Sequence, residues 1–194
     1  MRQIGVLGGT FNPVHTAHLI ISEEARQQLR LDRILFMPSA NPPHKSGDII
    51  DAQTRLDLVK MAVKDNEYFE ASNIEIKNSQ YSKSYTVDTL QKLKALYPDN
   101  KIFLLIGMDN LIELHTWKEP EKLLELAEII VLNRPGYSVG SSNNFEKKVK
   151  SITVPNIEIS STDIRKRIKE KKSIKYLVPI EVEKYIMEKR LYEQ

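Results

Sequence analysis

Between residues 8 and 18 the chain reads Gly8-Gly9-Thr10-Phe11-Asn12-Pro13-Val14-His15-Thr16-Ala17-His18: a glycine pair, then two imidazoles three positions apart. Glycines let backbone N–H groups approach a phosphate closely, and a helix start just beyond them adds unpaired donors and a partial positive charge. The combination is an anion site. On a helix His15 and His18 share one face of the first turn, so both can donate hydrogen bonds to a ligand held there. The spacing is neither the Walker pattern nor G-x-G-x-x-G, which speaks against a kinase-like loop or a bound dinucleotide cofactor. His-x-x-His also begins some metal sites, but no third ligand stands at an obvious spacing and the chain has no cysteine. Taken alone, the pair can equally be two ordinary helix histidines.

A second segment has the same logic. Ile159-Ser160-Ser161-Thr162-Asp163-Ile164-Arg165 reads as a strand end, a run of small hydroxyl residues and a helix start. Ser161 or Thr162 is expected to cap that helix, leaving free N–H groups and the Arg165 fork for an anion. By itself this is no more than a capped helix.

These segments need a scaffold that presents them together. Gln3 to Leu7 is a short apolar run stopped by Gly8-Gly9, as in a buried strand, and helical spacing follows from His15 to about Leu29. The alternation continues with a strand at Arg33–Met37, a helix at Asp51–Val63, a strand near Phe69–Ile76 and a helix at Thr86–Tyr97. Beyond it lie a strand at Ile102–Ile106, helices near Asp109–Leu114 and Pro120–Leu126, and a strand at Glu128–Leu132. Gly136 to Asn144 reads as a surface loop, Ile157–Ile159 as a short last strand, and Thr162–Glu170 and Pro179–Lys189 as closing helices. This predicts an α/β fold: a doubly wound, mostly parallel, Rossmann-like sheet with helices on both faces, since parallel strands need crossovers. Ligands in such sheets sit beyond the carboxyl ends of the strands, so Gly8–His18, Pro38–Gly47, Gly107–Trp117 and Asn133–Tyr137 are the segments to watch.

With 194 residues, and neither repeats nor a linker, residues 1–194 are expected to form one domain with a C-terminal helical portion from about residue 162. No apolar run is long enough to span a bilayer and the start does not read as a signal peptide, so the expected compartment is the cytoplasm, away from membranes. The net charge of +3 suits anionic ligands but is far from that of dedicated nucleic-acid binders. The basic excess is local: seven of the eleven residues from Arg165 to Lys175 are Lys or Arg. They read as a solvated helix face and charged loop. A nucleic-acid-binding module is the non-enzymatic alternative, but the run holds no aromatic side chain for stacking before Tyr176.

Together the two anion segments resemble the nucleotidyltransferase superfamily with an H-x-G-H signature near its first helix and I-S-S-T-x-I-R near its end. Bacterial nicotinate mononucleotide adenylyltransferases are the most similar family. The further matching stretches are Pro42-Pro43-His44-Lys45, Ser84-Tyr85-Thr86-Val87-Asp88-Thr89-Leu90, Ile106-Gly107-Met108-Asp109, His115-Thr116-Trp117 and Arg134-Pro135-Gly136-Tyr137. Ala17 replaces the usual Gly, adding one methyl, and Asn12 stands where Asp is frequent. The resemblance implies transfer of AMP from ATP to nicotinic acid mononucleotide, giving deamido-NAD and pyrophosphate. It implies that His15, His18 and Gly8, Gly9, Thr10 and Phe11 contact ATP phosphates, that Ser161, Thr162 and Arg165 hold the pyrophosphate, and that His18, His15 and Arg165 are catalytic. Gly107 and Asp109 would meet the nucleoside or the joining phosphates. Asn12, Lys45, Thr86, Asp109, Trp117 and Arg134 would form the mononucleotide side, with Trp117 stacking on the pyridine ring and Thr86 near its carboxylate. Mg²⁺ is implied on the triphosphate, with no protein side chain as a dedicated ligand, and a homo-oligomer is compatible with the chain. Phosphopantetheine adenylyltransferases share the first and last motifs and are the enzymatic alternative; Ser84–Leu90 and Thr116-Trp117 weigh against them.

Overall fold

The structure is a computed structural model that describes residues 1–41, 49–78, 84–133 and 145–193. Six strands form one sheet: β1 (Gln3–Gly9), β2 (Arg33–Pro38), β3 (Phe69–Ala71), β4 (Lys101–Gly107), β5 (Glu128–Asn133) and β6 (Lys150–Thr153). Their order is β3-β2-β1-β4-β5-β6, and each pairing is parallel. The helices are α1 (Thr16–Leu29), α2 (Ala52–Val63), α3 (Thr86–Leu96), α4 (Met108–Glu113), α5 (Pro120–Leu126), α6 (Ser161–Lys169) and α7 (Ile180–Glu188). The doubly wound reading holds, and the order reverses between β1 and β4, which makes their carboxyl ends the crevice of the fold.

The interiors of the four central strands β1, β2, β4 and β5 are apolar because both faces of the sheet are covered there. In β4, Ile102, Leu104 and Ile106 point to one core while Phe103 and Leu105 point to the other, and β5 divides in the same way. The first core lies under α1, α2, α6 and α7 and includes Leu58, Val59, Ile164, Val182 and Ile186. The second lies under α3, α4 and α5 and includes Val87, Leu90, Leu93, Leu111 and Leu123. Each such aliphatic side chain, taken fully out of water, contributes about 1.5–3 kcal/mol against its ordering entropy.

Two expectations from the sequence are corrected. The strand near residue 69 ends at Ala71, and the chain turns into a 3-10 segment at Ile76–Asn78. Ser72 N–H still bonds to Phe36 O at 2.8 Å, but Ser72 and Asn73 then favour a turn over further ladder. The last strand is Lys150–Thr153, not Ile157–Ile159. It lies at the sheet edge with mostly exposed side chains, so it lacks the apolar signal of a buried strand. Val154 N–H extends the pairing to Asn133 O at 2.9 Å, and Pro155, which has no N–H, ends it. Among the described residues no helix is long and apolar enough to cross a membrane.

Candidate active site

The loop after β1 is built around Phe11. This residue adopts a left-handed backbone with φ of 49° and is buried, its ring 6.1 Å from that of Phe36 in the first core. A Cβ on Gly9 would lie 3.1 Å from the Phe11 ring, so glycine there permits the close approach of ring and backbone. At Gly8 and at Gly107 a Cβ would meet nothing within 4 Å, so open space lies beside the ends of β1 and β4. Ser39 N–H bonds to Gly9 O at 2.9 Å and ties the end of β2 to the same rim.

Phe11 also carries the histidines. The His18 ring meets Phe11 edge-on at 5.0 Å and stacks on His15 at 3.6 Å. His15, in extended conformation, precedes the first residue of α1, and its backbone N–H donates to His18 Nδ1 at 3.2 Å. That bond makes Nδ1 the acceptor and places the proton of neutral His18 on Nε2. His15 is buried and its Nδ1 has no hydrogen-bond partner among the described residues.

Burial lowers the His15 pKa from 6.5 to about 4, because a charged imidazole would lose its hydration there. Between these two values the unfolded chain binds the extra proton and the folded chain does not. Stability from neutral burial is therefore present above pH 6.5 and lost as the pH falls toward 4. We expect the unfolding free energy to drop by roughly 2 kcal/mol from this group between pH 7 and pH 5, read by urea titration. His15→Gln should flatten that slope; an unchanged slope in the variant would remove His15 as its source.

The start of α6 joins the first loop across most of the sequence. Ser161 Oγ donates to Pro13 O at 2.8 Å and Arg165 Nη1 donates to Asn12 O at 2.8 Å. Arg165 Nη2 reaches Thr162 Oγ1 at 3.4 Å. The capping residue is Ser160, whose Oγ accepts from Asp163 N–H at 3.0 Å, and not Ser161 or Thr162. The helix starts one residue earlier than its apolar spacing implies, which frees Ser161 to fasten the α6 start to the loop after β1. In the basic run that follows, Arg167 pairs with Asp163 and Lys172 with Glu170, as on a solvated face.

Gly107 and Asp109 lie at the end of β4 and in the first turn of α4, beside β1, and Asp109 is exposed. Trp117 is half-buried against the second core, following a 3-10 turn. Its neighbour Lys118 bonds both oxygens of Asp88 in α3 at 3.0 Å and lies 4.9 Å from the Tyr85 ring, so the Trp117 segment is tied to the α3 start that carries Thr86. Asn12 is buried, with Oδ1 accepting from Ile50 N–H at 3.4 Å. Lys45 and Arg134, the Pro42–Lys45 and Arg134–Tyr137 stretches, and the loop 136–144 lie outside the described residues. Among the described residues no three His, Asp or Glu side chains converge to hold a metal.

Two site-supporting residues have no signal in the sequence. Arg55 in α2 is buried, with only 1% of its surface exposed, and donates from Nη1 to Thr10 O at 2.7 Å, from Nη2 to Ala40 O at 3.2 Å and from Nε to Ile50 O at 3.0 Å. Glu75 accepts from Thr89 Oγ1 at 2.9 Å through Oε1, and its other carboxylate oxygen is buried with no hydrogen-bond partner among the described residues. Burial lowers the Arg55 pKa and raises that of Glu75.

Residues 6–167 match the family described as cytidylyltransferase-like. The chain is 44% identical over 192 residues to a protein of Exiguobacterium sibiricum named "probable nicotinate-nucleotide adenylyltransferase", covering 98% of both. It is 40% identical over 203 residues to one of the same name from Desulfitobacterium hafniense, covering 98% of this chain and 96% of the relative. Among solved structures, Plasmodium falciparum nicotinic acid mononucleotide adenylyltransferase complexed with NaAD superposes with a TM-score of 0.80 at 20% identity, covering 100% of this chain and 98% of that one. A strand-end glycine loop, a stacked histidine pair and an arginine brought to them by α6 thus occur in a chain that belongs to the nicotinate-nucleotide adenylyltransferase family.

Proposed function

We propose that this chain transfers the adenylyl group of ATP to the phosphate of nicotinic acid mononucleotide, producing deamido-NAD and pyrophosphate. The observation that supports the reading is the meeting of Asn12 and Pro13 with Ser161 and Arg165, which joins the α6 start to the loop that runs into the His15–His18 stack.

A phosphate oxygen of the mononucleotide attacks the α-phosphorus of ATP, a new P–O bond forms, and the bond to the pyrophosphate oxygen breaks. The attacking phosphate is already ionised near neutral pH, so neither an enzyme nucleophile nor a general base is needed, and catalysis rests on alignment and on stabilising leaving-group charge. Backbone N–H groups of residues 8–11 and His18 Nε2–H serve the triphosphate; Ser161 and Thr162, through the backbone N–H groups of the α6 start, and Arg165 serve the departing pyrophosphate. Neutral, buried His15 stacks under His18 and keeps its plane. Gly107 and Asp109 bound the centre of the crevice. Trp117 and the α3 start at Thr86 form the acceptor end, with Trp117 offering an aromatic face to the pyridine ring. Mg²⁺ enters as part of the MgATP substrate and neutralises phosphate charge, consistent with a donor set rich in N–H and hydroxyl groups.

Purified protein given MgATP and, separately, nicotinate mononucleotide, nicotinamide mononucleotide and phosphopantetheine should form a dinucleotide and pyrophosphate fastest with the nicotinate compound. Turnover of phosphopantetheine alone would overturn the substrate and keep the chemistry, and no product from any acceptor would overturn the reading.

A further inference from the structure

Phe11 sits in a conformation that an isolated residue avoids. Its φ of 49° lies in the left-handed region, which is costly for a residue with a Cβ, while its ring is fixed by the first core, 6.1 Å from that of Phe36 and edge-on to His18. The soft part of the loop is therefore the peptide plane between Thr10 and Phe11. Turning that plane over would return φ of Phe11 to the negative range and leave the ring where it is. One side chain opposes the turn. Arg55, 1% exposed, donates from Nη1 to Thr10 O at 2.7 Å. The same guanidinium donates from Nη2 to Ala40 O at 3.2 Å and from Nε to Ile50 O at 3.0 Å, so it is held in place and cannot follow the Thr10 carbonyl if that group swings. Ile50 N–H in turn donates to Asn12 Oδ1 at 3.4 Å, which ties the residue after Phe11 to the same approach to α2.

We propose that Arg55 is a positioning residue for ATP: it locks the Thr10–Phe11 peptide in its strained orientation and thereby aims Phe11 N–H at the triphosphate. That peptide is trans, and in a trans peptide the C=O and the following N–H point in opposite directions. A Thr10 carbonyl drawn to the buried guanidinium therefore turns Phe11 N–H to the opposite face of the loop. Flipped, the same peptide would set a carbonyl oxygen where the donor now stands and repel a phosphate. A buried cation is costly, and this one is directed at three backbone carbonyls that a planar fork can reach together. A lysine ammonium is a single point of charge on a flexible stem and cannot span all three. Arg55 acts through Thr10 and touches no substrate itself. The inference rests on the adenylyl-transfer reading above.

The Phe11 amide signal of ¹⁵N-labelled full-length protein tests it, titrated with magnesium and the non-cleavable analogue α,β-methylene-ATP. In the wild type that signal should move with added analogue and level off at saturation, as for an N–H that meets a phosphate. In Arg55→Lys it should move much less at saturation. The same variant should raise KM for ATP about tenfold, the loss of one hydrogen bond to a charged group, with kcat and KM for nicotinate mononucleotide within about threefold of wild type. Arg55→Met, of similar reach but without a donor, should raise KM for ATP at least as far. Variants that melt at lower temperature while KM for ATP stays within about twofold of wild type, and whose Phe11 signal still moves in full, would make Arg55 a merely structural residue and overturn the proposal. If neither variant folds, a wild-type Phe11 signal that stays still at saturating analogue would overturn it equally. Wild-type turnover measured alongside separates the two levels: no dinucleotide from any acceptor ends the adenylyl-transfer reading and this inference with it, whereas normal turnover with a still Phe11 signal ends only this inference.

Discussion

His18→Ala will lower kcat by on the order of 10²- to 10³-fold, the usual loss when one well-placed donor to developing charge is removed. The imidazole is fixed on three sides: stacked on His15 at 3.6 Å, edge-on to Phe11 at 5.0 Å, and accepting His15 N–H at Nδ1. With Nδ1 occupied as an acceptor, Nε2–H is the group with which it donates. Losing the ring also removes an acceptor at the α1 start, costing about 1 kcal/mol of stability. His18→Asn separates the two effects, since its Oδ1 can stand in for Nδ1 as acceptor but supplies no donor at the Nε2 position. It should recover melting temperature and not kcat. An alanine variant with near-normal turnover would remove His18 from the chemistry.

Arg165→Lys should cost on the order of 10²-fold in kcat although charge is kept, because the fork is lost. The guanidinium uses one arm on Asn12 O at 2.8 Å and extends the other to Thr162 at 3.4 Å, so it both closes the first loop and presents N–H groups along α6. An ammonium can do one of these, not both. If Arg165 holds the leaving group, product inhibition by pyrophosphate should weaken in step with kcat, while KM for the mononucleotide changes little. Inhibition equal to wild type in a slow variant would mean that Arg165 only braces the loop.

The parts legible in the sequence were those carried by local pattern. Five of the strands could be placed from apolar runs because the sheet is covered on both faces, and the helices from spacing and stop signals such as Pro98. The glycine pair, the two histidines and the S-S-T segment could be picked out as a candidate anion site because each residue type acts within a few positions of itself. The edge strand Lys150–Thr153 was hidden, since an exposed edge needs no apolar run, and the apolar Ile157–Ile159 read as a strand for want of a visible partner. Ser160 could not be told from Ser161 as the cap, because three hydroxyl residues in a row offer the same chemistry to the helix start.

What the sequence determined by itself is therefore the alternation of strands and helices and the residue types at each strand end, since hydrophobic period and backbone chemistry are properties of neighbours along the chain. Only the tertiary structure decided which strand ends meet, that Arg165 reaches Asn12, and that Arg55 turns inward to hold Thr10 and Ala40 while Glu75 turns inward to Thr89. A lone arginine in an amphipathic helix or a glutamate between two isoleucines looks like any solvated charge; burial and partners far along the chain give it a role, and those exist only once the sheet has closed the distance.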